Sequence, residues 1–214
     1  MAPAFTAFTG RARQRMTWCR TACVAAMLAA TACTGSTAAP SSTQTMRGEV
    51  SDPTGDALSD PRVPVAPDLV RATADVVAGS VTFVIHFAPG TLDRQTTRVS
   101  VLLDTDQDGS TGIQQASGIG ADYDIDLAAG TSQAAITKAD PASCAAHLSC
   151  FVPVGSMAVI LTADSVQVIV PLSLLGNDDG RLSFQASSYV LVAPLISVVF
   201  DFIPDSGLQP ARVQ

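Results

Sequence analysis

A long helical period is missing from this chain of 214 residues. Apolar residues do not recur at three- and four-residue intervals over any length, which excludes a mainly helical fold. Glutamate is reduced to Glu49 beside eighteen aspartates, and His86 and His147 are the only histidines. No H-E-x-x-H, G-x-S-x-G or Walker loop occurs, so the sequence gives no sign of zinc-peptidase, serine-hydrolase or phosphate-loop chemistry. Gly118-Ile-Gly120 does not belong to a G-x-G-x-x-G. Paired carboxylates can cleave glycosides, but a general acid needs an apolar pocket to raise its pKa, and Glu49 stands beside a flexible stretch. The chain therefore reads as a non-enzyme. Basic residues are also few: of twelve, Arg11, Arg13, Arg15 and Arg20 precede position 33. Beyond it, eight basic residues face all nineteen acidic ones, a net charge of −11. That balance suits cations and repels a nucleic-acid backbone, for which there is no basic stripe.

The first 32 residues read as an export signal. Arginines lead into Cys23-Val-Ala-Ala-Met-Leu-Ala-Ala, an apolar run too short to span a bilayer. The basic lead-in is long, so translation could start at Met1 or at Met16. Ala30-Thr31-Ala32 satisfies the small-residue rule for cleavage, and with Cys33 it resembles a bacterial lipobox. Downstream, only Cys144 and Cys150 remain, and six-residue spacing suits a small disulfide loop in an oxidising compartment. His147 lies within that loop, where a disulfide is a simpler reading than a zinc site. If those two cysteines pair, Cys33 is a lone thiol unless it carries lipid. The expectation is an extracytoplasmic protein anchored to the cell membrane through lipid on Cys33, with plain secretion as the alternative. Residues 33–47 are rich in Ser, Thr, Ala and Gly, have little to bury, and read as a tether.

From residue 48 to about 210 the sequence predicts one domain of short strands. Val81, Phe83, Ile85 and Phe87 alternate with Thr82, Val84 and His86. Further strands are expected at Leu69–Val77, Thr97–Leu103, Tyr123–Leu127, Gln133–Thr137, Met157–Thr162, Ser165–Val170, Leu182–Val190 and Ile196–Ile203. Gly, Pro, Asn and Asp mark the gaps, and Pro171–Gly176 reads as a single helical turn. The expected fold is all-β, an antiparallel β-sandwich of jelly-roll or immunoglobulin-like form.

Aspartates cluster at strand ends. Asp104, Asp106 and Asp108, closed by Gly109, match the first half of an EF-hand loop, but Gln115 stands where its bidentate Glu belongs. A calcium loop at a strand end would need ligands from elsewhere. Asp122, Asp124 and Asp126 supply them on one face of the next strand, where like charges repel unless solvent or a cation intervenes. A second group holds Asp52, Asp56, Asp60 and Asp68, and a third holds Asp201 and Asp205. Ordinary turn chemistry also favours aspartate at such places. The expected calcium ligands are Asp104, Asp106, Asp108, Asp122, Asp124, Asp52, Asp56, Asp68 and Asp205.

The succession D-P-x-G-D from Asp52, Pro67-Asp68-Leu69, L-D-T-D-x-D-x-x-T-G from Leu103, Gly120-Ala-Asp-Tyr123, Val170-Pro-Leu-Ser-Leu-Leu-Gly176 and Pro204-Asp-Ser-Gly207 resembles exported bacterial domains of the DOMON-like superfamily. That group includes the family-9 carbohydrate-binding modules. The resemblance implies a β-sandwich with structural calcium that binds a carbohydrate or an envelope component. An alternative is a structural or protein-interaction lipoprotein. Sugar-binding members stack their ligand on tryptophan, yet Trp18, the only Trp, lies in the signal. Tyr123 could flank a ligand, or serve as a half-buried strand tyrosine. Haem-binding members use Met and His, which would here be His86 with Met46 or Met157; a lone strand His is ordinarily a surface residue.

Overall fold

Alternation along one strand shows how the sequence builds this molecule. In the computed structural model, which describes residues 45–115, 117–146, 149–192, 196–205 and 208–214 (without side chains for 196–200), Val81, Phe83, Ile85 and Phe87 are buried. Thr82, Val84 and His86 lie half-buried on the opposite face. The described residues form thirteen strands: β1 (Met46–Ser51), β2 (Leu69–Val77), β3 (Ser80–Phe87), β4 (Thr97–Asp104), β5 (Ile113–Gln114), β6 (Gly120–Ala121), β7 (Tyr123–Leu127), β8 (Gln133–Ala139), β9 (Phe151–Leu161), β10 (Ser165–Pro171), β11 (Ser183–Val192), β12 (Ile196–Ile203) and β13 (Ala211–Arg212). The one α-helix among the described residues, α1 (Pro141–Ala145), is capped by Asp140, which accepts from the Ala142 N–H. A 3-10 turn, Leu172–Leu175, starts after Pro171 and ends at Gly176 in the left-handed region, as its Pro and Gly predict.

The strands form one antiparallel sheet in the order β1-β2-β3-β10-β9-β8-β7-β4-β11-β12, with β13 added to β11 and β5-β6 as a separate ribbon. The all-β, sandwich-like expectation holds, but the two layers are continuous. Strand β9 serves both: residues 159–161 pair with β10, and residues 151–158 pair with β8. Between the layers, Phe83 meets Phe184 edge to face at 5.8 Å. The free ends of the sheet return towards each other, nearly closing it. At this seam the Leu69 N–H on β2 donates to Asp201 on β12, and the Arg47 N–H donates to the Gln214 carbonyl at 3.3 Å.

Met46 and Arg47, placed in the tether by composition, begin β1, and β13 extends past residue 210. Cys144 and Cys150 are joined by a disulfide, S–S 2.01 Å. Residues 1–32, Cys33, the tether through residue 44, and His147 lie outside the described residues. Among the described residues no helix is long and apolar enough to cross a membrane.

Candidate functional site

The seam between β2 and β12 gathers five aspartates from three separate segments. As β1 ends, the Asp52 N–H donates to the Val70 carbonyl at 3.0 Å, placing Asp52 beside the start of β2. Asp68 opens β2; its Oδ2 accepts the Gly55 N–H at 2.8 Å, which ties the 52–56 loop to it. Asp201 accepts the N–H groups of Leu69 and Phe202, and Asp205 follows the cis Ile203–Pro204 bond. The result is two overlapping trios, Asp52–Asp56–Asp205 and Asp56–Asp68–Asp201, each with ligand oxygens within 4.8 Å of one another. Among the described residues none of these five forms an ion pair: Arg62 pairs with Asp60, and Arg71 with Glu49.

Such a group is unstable as it stands. Asp68 and Asp201 are each only 5% exposed, and the buried Asp52 Oδ2 and Asp68 Oδ1 have no hydrogen-bond partner. Burial pushes Asp52 up to about 7, and the charges of Asp205, Asp56, Asp201 and Asp68 add to the shift. Asp201 rises to about 6, again chiefly through burial, although its two backbone donors oppose the change. Stranded carboxylate oxygens cost free energy unless a proton or a cation reaches them. Hard carboxylate oxygens gathered in such trios suit calcium, which takes six to eight oxygens.

A second trio lies at the end of β4. Asp104 is 3% exposed and its buried Oδ1 has no partner, while Asp104, Asp106 and Asp122 bring ligand oxygens within 4.8 Å of one another. Thr105 donates both its N–H and its hydroxyl to Asp122 Oδ2, each at 2.9 Å. Asp106 accepts from the Asp108 N–H at 2.9 Å and from the Thr111 hydroxyl, which folds the loop around it. These bonds hold Asp106 below the ordinary carboxylate range, whereas burial, and then Asp106 and Asp122, push Asp104 up to about 6. The loop fits only because Gly120 lacks a side chain: a Cβ there would strike the Thr111 carbonyl oxygen.

Two expected ligands fall outside both groups. Gln107 adopts φ 55°, and Asp108 turns to cap Ser110, accepting its N–H at 3.0 Å and its hydroxyl at 2.6 Å. Asp124 shares a strand face with Asp122, but two residues of strand separate them by roughly 6.6 Å. Asp124 instead accepts the Ser100 hydroxyl at 2.7 Å, and Asp126 pairs with Arg98. The repulsion expected along that face is thus relieved by an arginine of the same chain. Conversely, Asp201 was legible as part of a motif but not as a ligand. Its signal is a lone charged residue within a largely apolar strand.

Met46 and His86 do not meet. Met46 stands opposite Val76 and His86 opposite Arg71, five positions along β2, and both Met46 and Met157 pack against the core. Tyr123 is 4% exposed and offers no open stacking face.

Beside the second trio lies a cleft of about 340 Å³, lined by Thr105, Asp106, Asp122, Lys138, Leu175 and Asp178, with Tyr123 and Gly176 in its wall. Lys138 is opposite Tyr123 across the β7–β8 pair, its ammonium 5.9 Å from the ring centre. Gly176 brings Asp178 round from the 3-10 turn, passing so close to the Tyr123 hydroxyl that an added Cβ would lie 3.1 Å from it. Asn177–Gly180 has only the composition of a gap between strands, and nothing in its spacing predicts that Asp178 lines a cleft. The chain matches no protein-family model, and no curated protein is similar to it.

Proposed function

We propose that this chain is a non-catalytic, calcium-stabilised module of the cell exterior, held to the membrane by lipid on Cys33, that binds a carbohydrate or envelope component. The observation carrying the calcium reading is the pair of nine-tenths-buried aspartates, Asp68 and Asp104, each with an unpartnered oxygen within a group of carboxylates. Capping a turn uses one carboxylate oxygen and gives no reason to bury the other without a partner. Signal-like residues 1–32, the lipobox-like Ala30–Cys33 and the net acidic charge support an exported protein. The likeness to DOMON-like domains supports a binding role.

Calorimetric titration with calcium is expected to find two classes of site. Asp68→Asn should remove one class and Asp106→Asn the other. Absence of calcium binding in the unsubstituted protein overturns the reading. A mass increase on Cys33 corresponding to diacylglycerol, lost in Cys33→Ala, tests the anchor.

A second reading, a protein-interaction lipoprotein, draws on a groove of about 410 Å³ lined by Val63, Pro64, Val65, Leu92 and Leu191, among others. Val65 and Leu191 are large apolar side chains left exposed there. Failure of every glycan on an array to bind, with or without chelator, favours this reading.

A further inference from the structure

The two aspartate groups differ in how fully they could enclose a cation. At the seam two trios overlap through Asp56, five carboxylates in all. At the end of β4 there are three, of which Asp106 and Asp122 line the open cleft of about 340 Å³ while Asp104 lies buried behind them. Three carboxylates fall short of the six to eight oxygens calcium takes, so positions remain for oxygens from outside.

The cleft specifies what those oxygens belong to. Its remaining polar lining is the Lys138 ammonium, the Asp178 carboxylate and the hydroxyls of Thr105 and Tyr123, with Leu175 as an apolar edge. Asp178 Oδ1 accepts the Gly180 N–H at 2.6 Å, which fixes the carboxylate in place. Both Thr105 bonds go to Asp122 Oδ2 and none to Oδ1. With a divalent cation in place, the three ligand carboxylates and Asp178 still outweigh the cation and Lys138 by one negative charge. An anionic ligand such as a phosphate or a uronate is therefore disfavoured. A ligand that both accepts and donates hydrogen bonds, with no charge of its own, matches every group present. A hydroxyl oxygen can face the cation or Lys138 while its proton goes to Asp106 or Asp178. The volume falls within the usual range of ligand clefts, roughly 300–1,000 Å³.

We infer that the cleft bounded by Asp106, Asp122, Lys138 and Asp178 binds a neutral sugar through vicinal hydroxyls that complete the coordination of a calcium ion held by Asp104, Asp106 and Asp122. The inference rests on the calcium reading above and adds to it the ligand class and the place of binding. It also removes the need for tryptophan, because coordination replaces stacking as the source of affinity.

The test uses calorimetry on the whole protein. Metal-free protein is titrated with calcium alone, then with methyl β-galactopyranoside (whose 3,4-diol is cis) and methyl α-mannopyranoside (whose 3,4-diol is trans-equatorial), in calcium and in EGTA. At least one glycoside should bind in calcium and not in EGTA. Lys138→Met and Asp178→Asn, which spare the three cation ligands, should each weaken that binding by about tenfold, while calcium affinity moves far less, rising slightly in Lys138→Met and falling slightly in Asp178→Asn. Calcium binding with neither glycoside bound overturns this inference and leaves the calcium reading standing. No calcium binding overturns both. Glycoside binding that persists in EGTA, or that both variants leave untouched, overturns the proposed place and manner of binding.

Discussion

At the residue scale, the aspartates divide by what satisfies them. Asp60, Asp126 and Glu49 meet arginines; Asp108 and Asp140 meet turn and helix N–H or hydroxyl groups. Asp52, Asp68 and Asp104 keep buried oxygens that meet nothing. This division predicts opposite outcomes for two substitutions at one seam. Asp52→Asn removes a carboxylate that burial and four neighbouring aspartates oppose, so in EGTA the melting temperature should rise. Asp201→Ala orphans the Leu69 N–H, at a cost of about 1–3 kcal/mol, so the melting temperature should fall with or without calcium. Thermal unfolding of both variants in EGTA checks the contrast. The pH dependence follows from the same groups. Asp52, Asp104 and Asp201 titrate at about 6 to 7 in the fold, above their ordinary 3.8, so the folded chain binds protons more tightly than the unfolded one. That contribution is complete below about pH 4 and is lost as pH rises towards about 7. Metal-free protein should therefore unfold at higher denaturant concentration near about pH 5 than near about pH 7.5, and excess calcium should reverse the order because a cation needs ionised carboxylates.

At the element scale, the loop from Asp104 to Gly120 holds its shape through backbone contacts that admit no side chain. Gly120→Ala sets a Cβ against the Thr111 carbonyl, and Asp106 is anchored to that same threonine. We expect a loss of ~2 kcal/mol or more together with weakened calcium binding at the β4 end, read by denaturant unfolding and calcium titration. The elements the sequence made legible are those with one wet and one dry face. Strand β3 alternates cleanly, and β7 runs from Tyr123 to Leu127 as its pattern predicts. The first half of β9 was hidden by Pro153 and Gly155. Residues 151–158 pair only with β8, so the missing proline N–H falls on a half-strand with an open edge. Strand β1 was hidden because its buried position is Gly48, where a Cβ would lie 2.7 Å from the Arg212 carbonyl oxygen. Within the site, the D-x-D-x-D-G spacing located the loop, but the left-handed Gln107 that turns Asp108 away is a conformation, not a pattern. Asp201 became a candidate ligand only when closure of the sheet brought β12 to β2.

At the scale of the whole molecule, the sheet is continuous through β9 and nearly shut at the β2–β12 seam, where five aspartates face one another. Across this seam the Leu69 N–H bonds to the Asp201 side chain, so repulsion among those carboxylates bears directly on its closure. A cation there binds the folded state and not the unfolded chain, and at a hundredfold excess over its dissociation constant it adds about 2.7 kcal/mol of stability. The most direct measurement is the melting temperature of the metal-free protein as calcium is added at neutral pH. A steady rise of several degrees with the logarithm of calcium concentration, abolished when Asp68→Asn and Asp106→Asn are combined, is the predicted result. A melting temperature that stays the same in EGTA and in excess calcium contradicts it.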